Sequence, residues 1–364
     1  MTAQRIISAD SHIQEPPELF SDWLPEKFRH KAPRIVERDG GRYLIVDGKR
    51  PRRLDIAEGR LEGDDDQREF RDGSTGRDIE RRLADQARDG VHAEVIYPNS
   101  ALSLYNSRDA GYQNAVAGAY NDWILDLFSG HGDRMAPVAI VPVSDIDAAV
   151  REVERVAKLG CRSVKIPISM RERPYNLPEY EPLWAALNDS GMVLSLHAFT
   201  ESVDVYPEDW GEEDGIGGAL NHMAMSMVEG QNPVSLLISS GVLMRHPDLR
   251  VVIVECGAGW LAWLLYVLDE QVEKKHMWIR PKLDLKPSEY FRRQCAVTFS
   301  DDPIALKYIE FTGAECLMWG SDYPHDEGTF PNSQAVIERI FAGVPPADKQ
   351  MIIHDNAARL YGLA

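Results

Sequence analysis

Near its N-terminus the chain reads Ile6-Ile7-Ser8-Ala9-Asp10-Ser11-His12-Ile13-Gln14-Glu15-Pro16. Alternate residues of a strand point the same way, so this apolar run delivers a carboxylate and an imidazole to one face at its C-terminal end. A barrel strand presents two metal ligands in this manner. Far downstream, Leu317-Met318-Trp319-Gly320-Ser321-Asp322-Tyr323-Pro324-His325 ends a second apolar run in Asp322, and Pro324 stops the strand. Two such strand ends at opposite ends of one chain imply a closed ring whose first and last strands are neighbours.

Eight short apolar runs alternate with helical patterns, at residues 6–9, 93–97, 136–141, 163–166, 193–196, 251–254, 296–299 and 317–319. Alternation predicts a parallel sheet, and eight repeats predict its closed form, a (β/α)8 TIM barrel of the α/β class. A single domain over residues 1–364 is expected. Helix signals support the repeat: Asp145 precedes a periodic run at 148–157 with Gly160 behind it, an N-cap and a C-terminal glycine. A segment at 347–360 is expected to pack the C-terminus on the barrel. Two stretches break the pattern, at about 33–80 after strand one and 199–232 after strand five, where a barrel keeps its active site. Within the first, Ile35-Val36 and the run at 43–46 flank Asp39-Gly40-Gly41, a hairpin signal. The charged, glycine-rich run at 58–77 has too little apolar surface to order by itself.

The chain has 364 residues and a formal charge of −18, which argues against nucleic acid or an anionic membrane as partner, since either would be repelled. A small-molecule substrate and a homo- or hetero-oligomer are expected. Four widely spaced cysteines, without a Cys-x-x-Cys pair, predict reduced thiols and a cytoplasmic location rather than a disulfide framework or thiolate zinc site. The most apolar helix candidate, at 260–268, is about half the length that spans a bilayer, and its Trp260, Trp263 and Tyr266 have the spacing of core packing against the barrel.

The polar residues at strand ends converge, on this reading, at one mouth: Asp10 and His12 from strand one, Lys165 from four, His197 from five, Glu255 from six and Asp322 from eight. Histidine and carboxylate ligands without cysteine suit Zn²⁺, Mn²⁺ or Fe²⁺. Several buried carboxylates without a cation would cost several kcal/mol per charge, so a divalent metal is the simplest physical explanation. Glu15, three residues past His12, and His222, in a helical segment after the long loop, are further candidate ligands. With them the donors Asp10, His12, Glu15, His197, His222 and Asp322, together with Glu255, exceed what one ion needs, and two ions are an expectation. Asp322, then Glu255, are the candidates for proton transfer beside metal-bound water, with His325 orienting a ligand or the substrate. Lys165 is expected to neutralise the acidic mouth or to meet a substrate carboxylate.

This constellation resembles the amidohydrolase-related family of metal-dependent TIM barrels, the group that includes aminocarboxymuconate-semialdehyde decarboxylase and the resorcylate-type decarboxylases. The resemblance spans nearly the whole chain and rests on Asp10-Ser11-His12 with Glu15-Pro16, Ser195-Leu196-His197, Val254 to Trp260, Gly320 to His325, and Asp355 to Tyr361. It implies metal binding by His12, His197 and Asp322. Asp10 departs from the family's usual His or Glu, yet still supplies an anionic oxygen. Glu255 occupies the place at the end of strand six where the decarboxylases have a histidine. The function implied is a metal-dependent hydrolase or carbon–carbon lyase, decarboxylase-like, on a small carboxylated or cyclic molecule. The alternatives are a dinuclear Mn/Fe or di-iron oxygenase on the same fold, resembling a carboxylate-rich subgroup, and an inactive subunit supporting a partner enzyme. A carboxylated Lys165, as related dinuclear enzymes have, is a further alternative.

Overall fold

The computed structural model describes residues 5–38, 41–47, 51–53, 76–170, 172–198, 218–325 and 327–364. The strands, in chain order, are β1 (Ile7–Ile13), β2 (Arg34–Arg38), β3 (Gly41–Ile45), β4 (Arg52–Arg53), β5 (Ala93–Pro98), β6 (Met135–Pro137), β7 (Ala139–Ile140), β8 (Ser163–Pro167), β9 (Val193–His197), β10 (Arg250–Val254), β11 (Cys295–Phe299) and β12 (Leu317–Trp319). β1, β5 and β6 pair in parallel, and β7 to β12 form a second parallel run of neighbours. β6 and β7 are one barrel strand interrupted at Val138, whose N–H still reaches the Ile96 carbonyl at 2.9 Å. At the other seam the His12 N–H donates to the Tyr323 carbonyl at 2.6 Å and the Asp322 N–H to the Asp10 carbonyl at 2.9 Å. Eight parallel strands thus close into a (β/α)8 barrel, and the first and last are neighbours as the sequence required.

Each expected apolar run is a strand, with one extension. β1 continues through Asp10 and His12 to Ile13, and its register against β5 shifts between Ser8 and Ser11. The strand interiors alternate as a closed barrel demands: Ile7, Ala9, Ala93, Val95, Tyr97, Ala136, Val138, Val193, Val252, Val254, Ala296 and Met318 form one buried cluster inside it. The floor is supplied by the C-terminus. Asn356 donates to the carbonyls of Ala314 and Leu317, both at 2.8 Å, and Ala357, Tyr361 and Leu363 join the interior cluster.

Five helices matter below: α1 (Ile79–Asp89), α2 (Leu261–Lys275), α3 (Pro303–Lys307), α4 (Ile309–Thr312) and α5 (Asn356–Tyr361). The helix expected after Asp145 spans Ile146–Lys158, with the Asp145 carboxylate accepting from Ala148 N–H at 3.1 Å and Gly160 in the left-handed region. The hairpin in the first insertion is present, with Ile35 opposite Leu44 in an antiparallel β2–β3 pair. The run at 58–75 and residues 199–217 lie outside the described residues. Among the described residues no helix is long and apolar enough to cross a membrane.

One expectation fails. Trp263 and Tyr266 are not core residues: α2 turns Leu261, Leu264 and Leu265 inward and leaves both aromatic rings 61% exposed. Helical spacing marks a shared face but does not say which way it points, and the leucines, interleaved at the same period, took the inner one.

Candidate metal centre

β1 carries Asp10 and His12 inward, β9 ends on His197, and Glu255 and Asp322 follow the last residues of β10 and β12. Both of these acids hold a left-handed backbone, with φ of 59° and 58°. That conformation disfavours a side chain and turns each carboxylate sharply back over the barrel mouth. Gly320 makes room for the closure, because a Cβ there would stand 2.6 Å from that of Asp10.

The donor atoms converge. His12 Nε2 lies 3.2 Å from His197 Nε2, 3.4 Å from Asp322 Oδ1, 3.6 Å from Asp10 Oδ1 and 3.8 Å from Glu255 Oε2. His197 Nε2 lies 3.5 Å from Asp10 Oδ1 and 3.3 Å from Glu255 Oε2. Ligands about 2.0–2.2 Å from one tetrahedral ion stand about 3.3–3.6 Å from one another, a spacing these distances approach, with the His12–Glu255 pair the longest at 3.8 Å. Asp10 Oδ1, fully buried, has no hydrogen-bond partner among the described residues. The imidazoles are aimed from behind: His12 Nδ1 lies 3.3 Å from the Pro98 carbonyl and His197 Nδ1 3.0 Å from that of Ala198, which leaves each Nε2 facing the cluster.

The electrostatics have the same sense. Burial pushes the Asp10 carboxyl up to about 7 and Asp322 up to about 6, and it pushes Glu255 well above the usual carboxylate range, with Asp322 and Asp10 adding repulsion. Burial also drives His197 down to about 3 and His12 well below the usual imidazole value. Ionised carboxylates and neutral imidazoles are what a divalent ion binds, and its charge would offset the desolvation that opposes the ionised acids. The residues therefore fit such an ion.

His325 stacks on His12, ring centroids 4.1 Å apart, and its Nδ1 lies 2.9 Å from Asp322 Oδ1. Burial lowers its basicity, but the hydrogen bond and charge of Asp322 outweigh this and leave it raised. Lys165 is wholly buried on β8, and its Nζ has no hydrogen-bond partner among the described residues. It stands 5.5 Å over the Tyr105 ring, and burial holds the amine well below the usual lysine value despite the opposing charge of Glu255.

Glu15 is not brought into the cluster. Its two oxygens accept from the N–H groups of Asn99, Ser100 and Ala101 at 2.9, 2.7 and 3.1 Å, so the carboxylate caps the 3₁₀ turn Ser100–Asn106. His222 lies within the helix Gly218–Ser226, and its side chain is outside the described residues.

Two supporting residues had not been anticipated. Arg82 of α1, wholly buried, donates from Nε to Glu94 Oε2 at 2.6 Å and from Nη1 to the His12 carbonyl at 2.9 Å. It sits among charged neighbours in the sequence, and nothing there distinguishes it. Tyr97 packs edge-on against His197, centroids 4.9 Å apart, and its hydroxyl lies 3.0 Å from Ser195 Oγ. The alternation Ala93, Val95, Tyr97 placed it on the inner face of β5 and was a usable signal.

Residues 9–363 match the family model described as Amidohydrolase. The chain belongs to that family. The chain is 24% identical over 263 residues to gamma-resorcylate decarboxylase from Rhizobium sp. (strain MTP-10005), covering 68% of this chain and 76% of the relative. An amidohydrolase from Mycobacterium avium subsp. paratuberculosis K-10 superposes with a TM-score of 0.76 at 21% identity, covering 100% of this chain and 99% of that one. A dihydroxybenzoic acid decarboxylase from Polaromonas sp. JS666, solved with bound manganese and an inhibitor, gives 0.64 at 17% identity, covering 99% and 97%. These structural likenesses show that the chain shares their barrel.

Proposed function

We infer that this member of the amidohydrolase family is a metal-dependent carbon–carbon lyase that removes the carboxyl group of a small, cyclic, carboxylated molecule. One observation carries the reading: five converging donors stand at the same mouth as a buried lysine whose Nζ has no hydrogen-bond partner among the described residues. The decarboxylases among its sequence relatives and the manganese in the Polaromonas structure support it.

Asp10, His12, His197 and Asp322 would hold one divalent ion, with Glu255 as the fifth donor. Such an ion, when bound, supplies Lewis-acid polarisation of a substrate oxygen. The converging donors fall into two groups that share His12, namely Asp10, His12 and His197, and His12, Glu255, Asp322 and His325, and on this reading one ion sits where they meet. Lys165 receives the substrate carboxylate: an unpaired buried amine gains a partner, and its protonated form is stabilised as the anion arrives. When the bond to the carboxyl carbon breaks, carbon dioxide departs and the electron pair stays on the ring carbon. The proton that replaces the carboxyl group comes from His325, which Asp322 holds in one tautomer. Hydrolysis is the second reading, favoured by Glu255, a carboxylate able to accept a proton from water beside the same donors. The dinuclear oxygenase loses Glu15, which is engaged elsewhere, as a donor to a second ion, and the intact donor set argues against the inert subunit.

The test is carbon dioxide release from 2,6-dihydroxybenzoate and 5-carboxyvanillate by the Mn²⁺-loaded protein. Turnover of either is expected, with Asp322→Asn inactive and His325→Gln slowed by about 10²- to 10⁴-fold with its metal retained. No carbon dioxide from a panel of carboxylated phenols, alongside Asp322-dependent cleavage of lactones or amides, would replace this reading with hydrolysis.

A further inference from the structure

Strict alternation along β1 would turn its two ligands the wrong way. Ile7 and Ala9 point into the barrel, where they join Ala93, Val95 and Tyr97 of β5 in the interior cluster. Counting on in twos from Ala9 would turn Ser11 and Ile13 inward and send Asp10 and His12 out. The chain does the reverse. Ile13 joins Ile96 and Leu194 in the core outside the barrel, while the donor atoms of Asp10 and His12 meet His197 inside it. One extra residue makes the difference: Ser8 pairs with Glu94 and Ser11 with Ile96, so Ala9 and Asp10 together oppose Val95. This is a β-bulge, in which two residues face one partner and the side chains beyond are re-aimed.

The Ser8 hydroxyl fastens that bulge to the far end of the chain. Ser8 is fully buried, and its Oγ donates to the Asp10 carbonyl at 2.7 Å and accepts from the Ser321 N–H at 2.8 Å. The hydroxyls of Ser11 and Ser321 each stand 3.0 Å from it. The Asp10 carbonyl accepts in addition from the Asp322 N–H at 2.9 Å. One hydroxyl thus ties the backbone of Asp10 to the residue before Asp322. Both carboxylates need such a hold. Asp322 keeps a φ of 58°, a conformation that persists in a non-glycine residue when its surroundings over-determine it.

We propose that Ser8 is a positioning residue of the metal seat, fixing at once the bulge that turns Asp10 inward and the turn that brings Asp322 over the mouth. It acts at one remove, through the main chain of the two ligand segments. Ser11 supplies the control: its hydroxyl belongs to the same cluster, 3.0 Å from Ser8 Oγ and 3.4 Å from Ser321 Oγ, but ties no ligand backbone. The inference rests on the metal seat of the preceding reading and not on the reaction assigned to it.

The experiment is calorimetric titration of the metal-free full chain with Mn²⁺, joined to electron paramagnetic resonance of the bound ion, for the wild type, Ser8→Ala and Ser11→Ala. Ser8→Ala is expected to bind Mn²⁺ about 10- to 100-fold more weakly, the usual effect of losing a group that orients metal ligands. Its resonance spectrum should change, because two carboxylate ligands have moved, while its far-ultraviolet spectrum stays that of the wild type. Ser11→Ala should keep both the affinity and the resonance spectrum. Wild-type affinity and spectrum in Ser8→Ala would overturn the proposal, as would equal losses in the two variants, the outcome of a purely structural hydroxyl cluster. If Ser8→Ala does not fold, Ser8→Cys weakens each hydrogen bond with little change of volume, and wild-type affinity in that variant would overturn the proposal equally. A wild type that takes up no Mn²⁺ would remove the seat and this inference with it. Neither readout needs turnover, so a failure to release carbon dioxide counts against the lyase reading alone.

Discussion

Replacing Arg82 with Met separates what holds the barrel together from what holds its metal site. Arg82 has no solvent exposure, and its partner Glu94 is 2% exposed. In Arg82→Met the Glu94 carboxylate keeps its charge inside the protein and loses the guanidinium 2.6 Å away. Breaking a buried pair from one side costs about 3–5 kcal/mol, because an uncompensated charge remains. At about 2 °C per kcal/mol for a chain of this length, differential scanning calorimetry should show Tm falling by roughly 6–10 °C. The double variant Arg82→Met/Glu94→Leu removes both charges and should recover most of that loss. It should not recover metal binding, since neither side chain restores the bond to the His12 carbonyl, and loss of such a support weakens metal affinity by roughly tenfold or more. A single variant melting within two degrees of the wild type, or a double variant melting no higher than the single, would refute the reasoning.

Glu15→Gln puts an amide nitrogen where a carboxylate oxygen accepts backbone N–H groups, and should lower stability by about 1–3 kcal/mol in urea unfolding while the metal content per chain stays unchanged. Loss of metal would make Glu15 a ligand after all. In the metal-free chain Asp10 and Asp322 have folded pKa values raised to about 7 and about 6 from 3.8, so the folded state binds more protons than the unfolded state between those values. His12 and His197, held below the free imidazole value of 6.5, act the other way, but Glu255, raised well above the carboxylate range, makes three carboxylates against two imidazoles. Stability of the chelated protein should therefore fall as pH rises from about 5 towards 7. Added Mn²⁺ at pH 7.5 should reverse that fall, and a chelated protein that gains stability from pH 5 to 7 would contradict it.

The barrel was legible because each strand is a short apolar run with its own boundary signal, and because motifs at both ends of the chain demanded a closed ring. Asp10, His12, His197 and Asp322 were legible for a related reason: a strand end fixes which way its residue points. Side chains beyond a strand end lack that constraint. Glu15, three residues past His12, follows a loop whose path brings it to the N–H groups of a 3₁₀ turn, and no local pattern encodes that path. Arg82 was hidden because its role depends on packing between α1 and two strand ends. Trp263 and Tyr266 were misread because apolar residues flank the helix on both faces, and the sequence does not say which face meets the barrel.

The central claim is that two imidazoles and the carboxylates of β1, β10 and β12 enclose a single divalent ion. Anomalous diffraction at the manganese edge, from a crystal of the Mn²⁺-loaded and active protein, tests it most directly. The account predicts one peak, about 2.0–2.3 Å from Nε2 of His12 and of His197 and from oxygens of Asp10 and Asp322. Two peaks a few ångströms apart, or a peak that His197 does not touch, would contradict it.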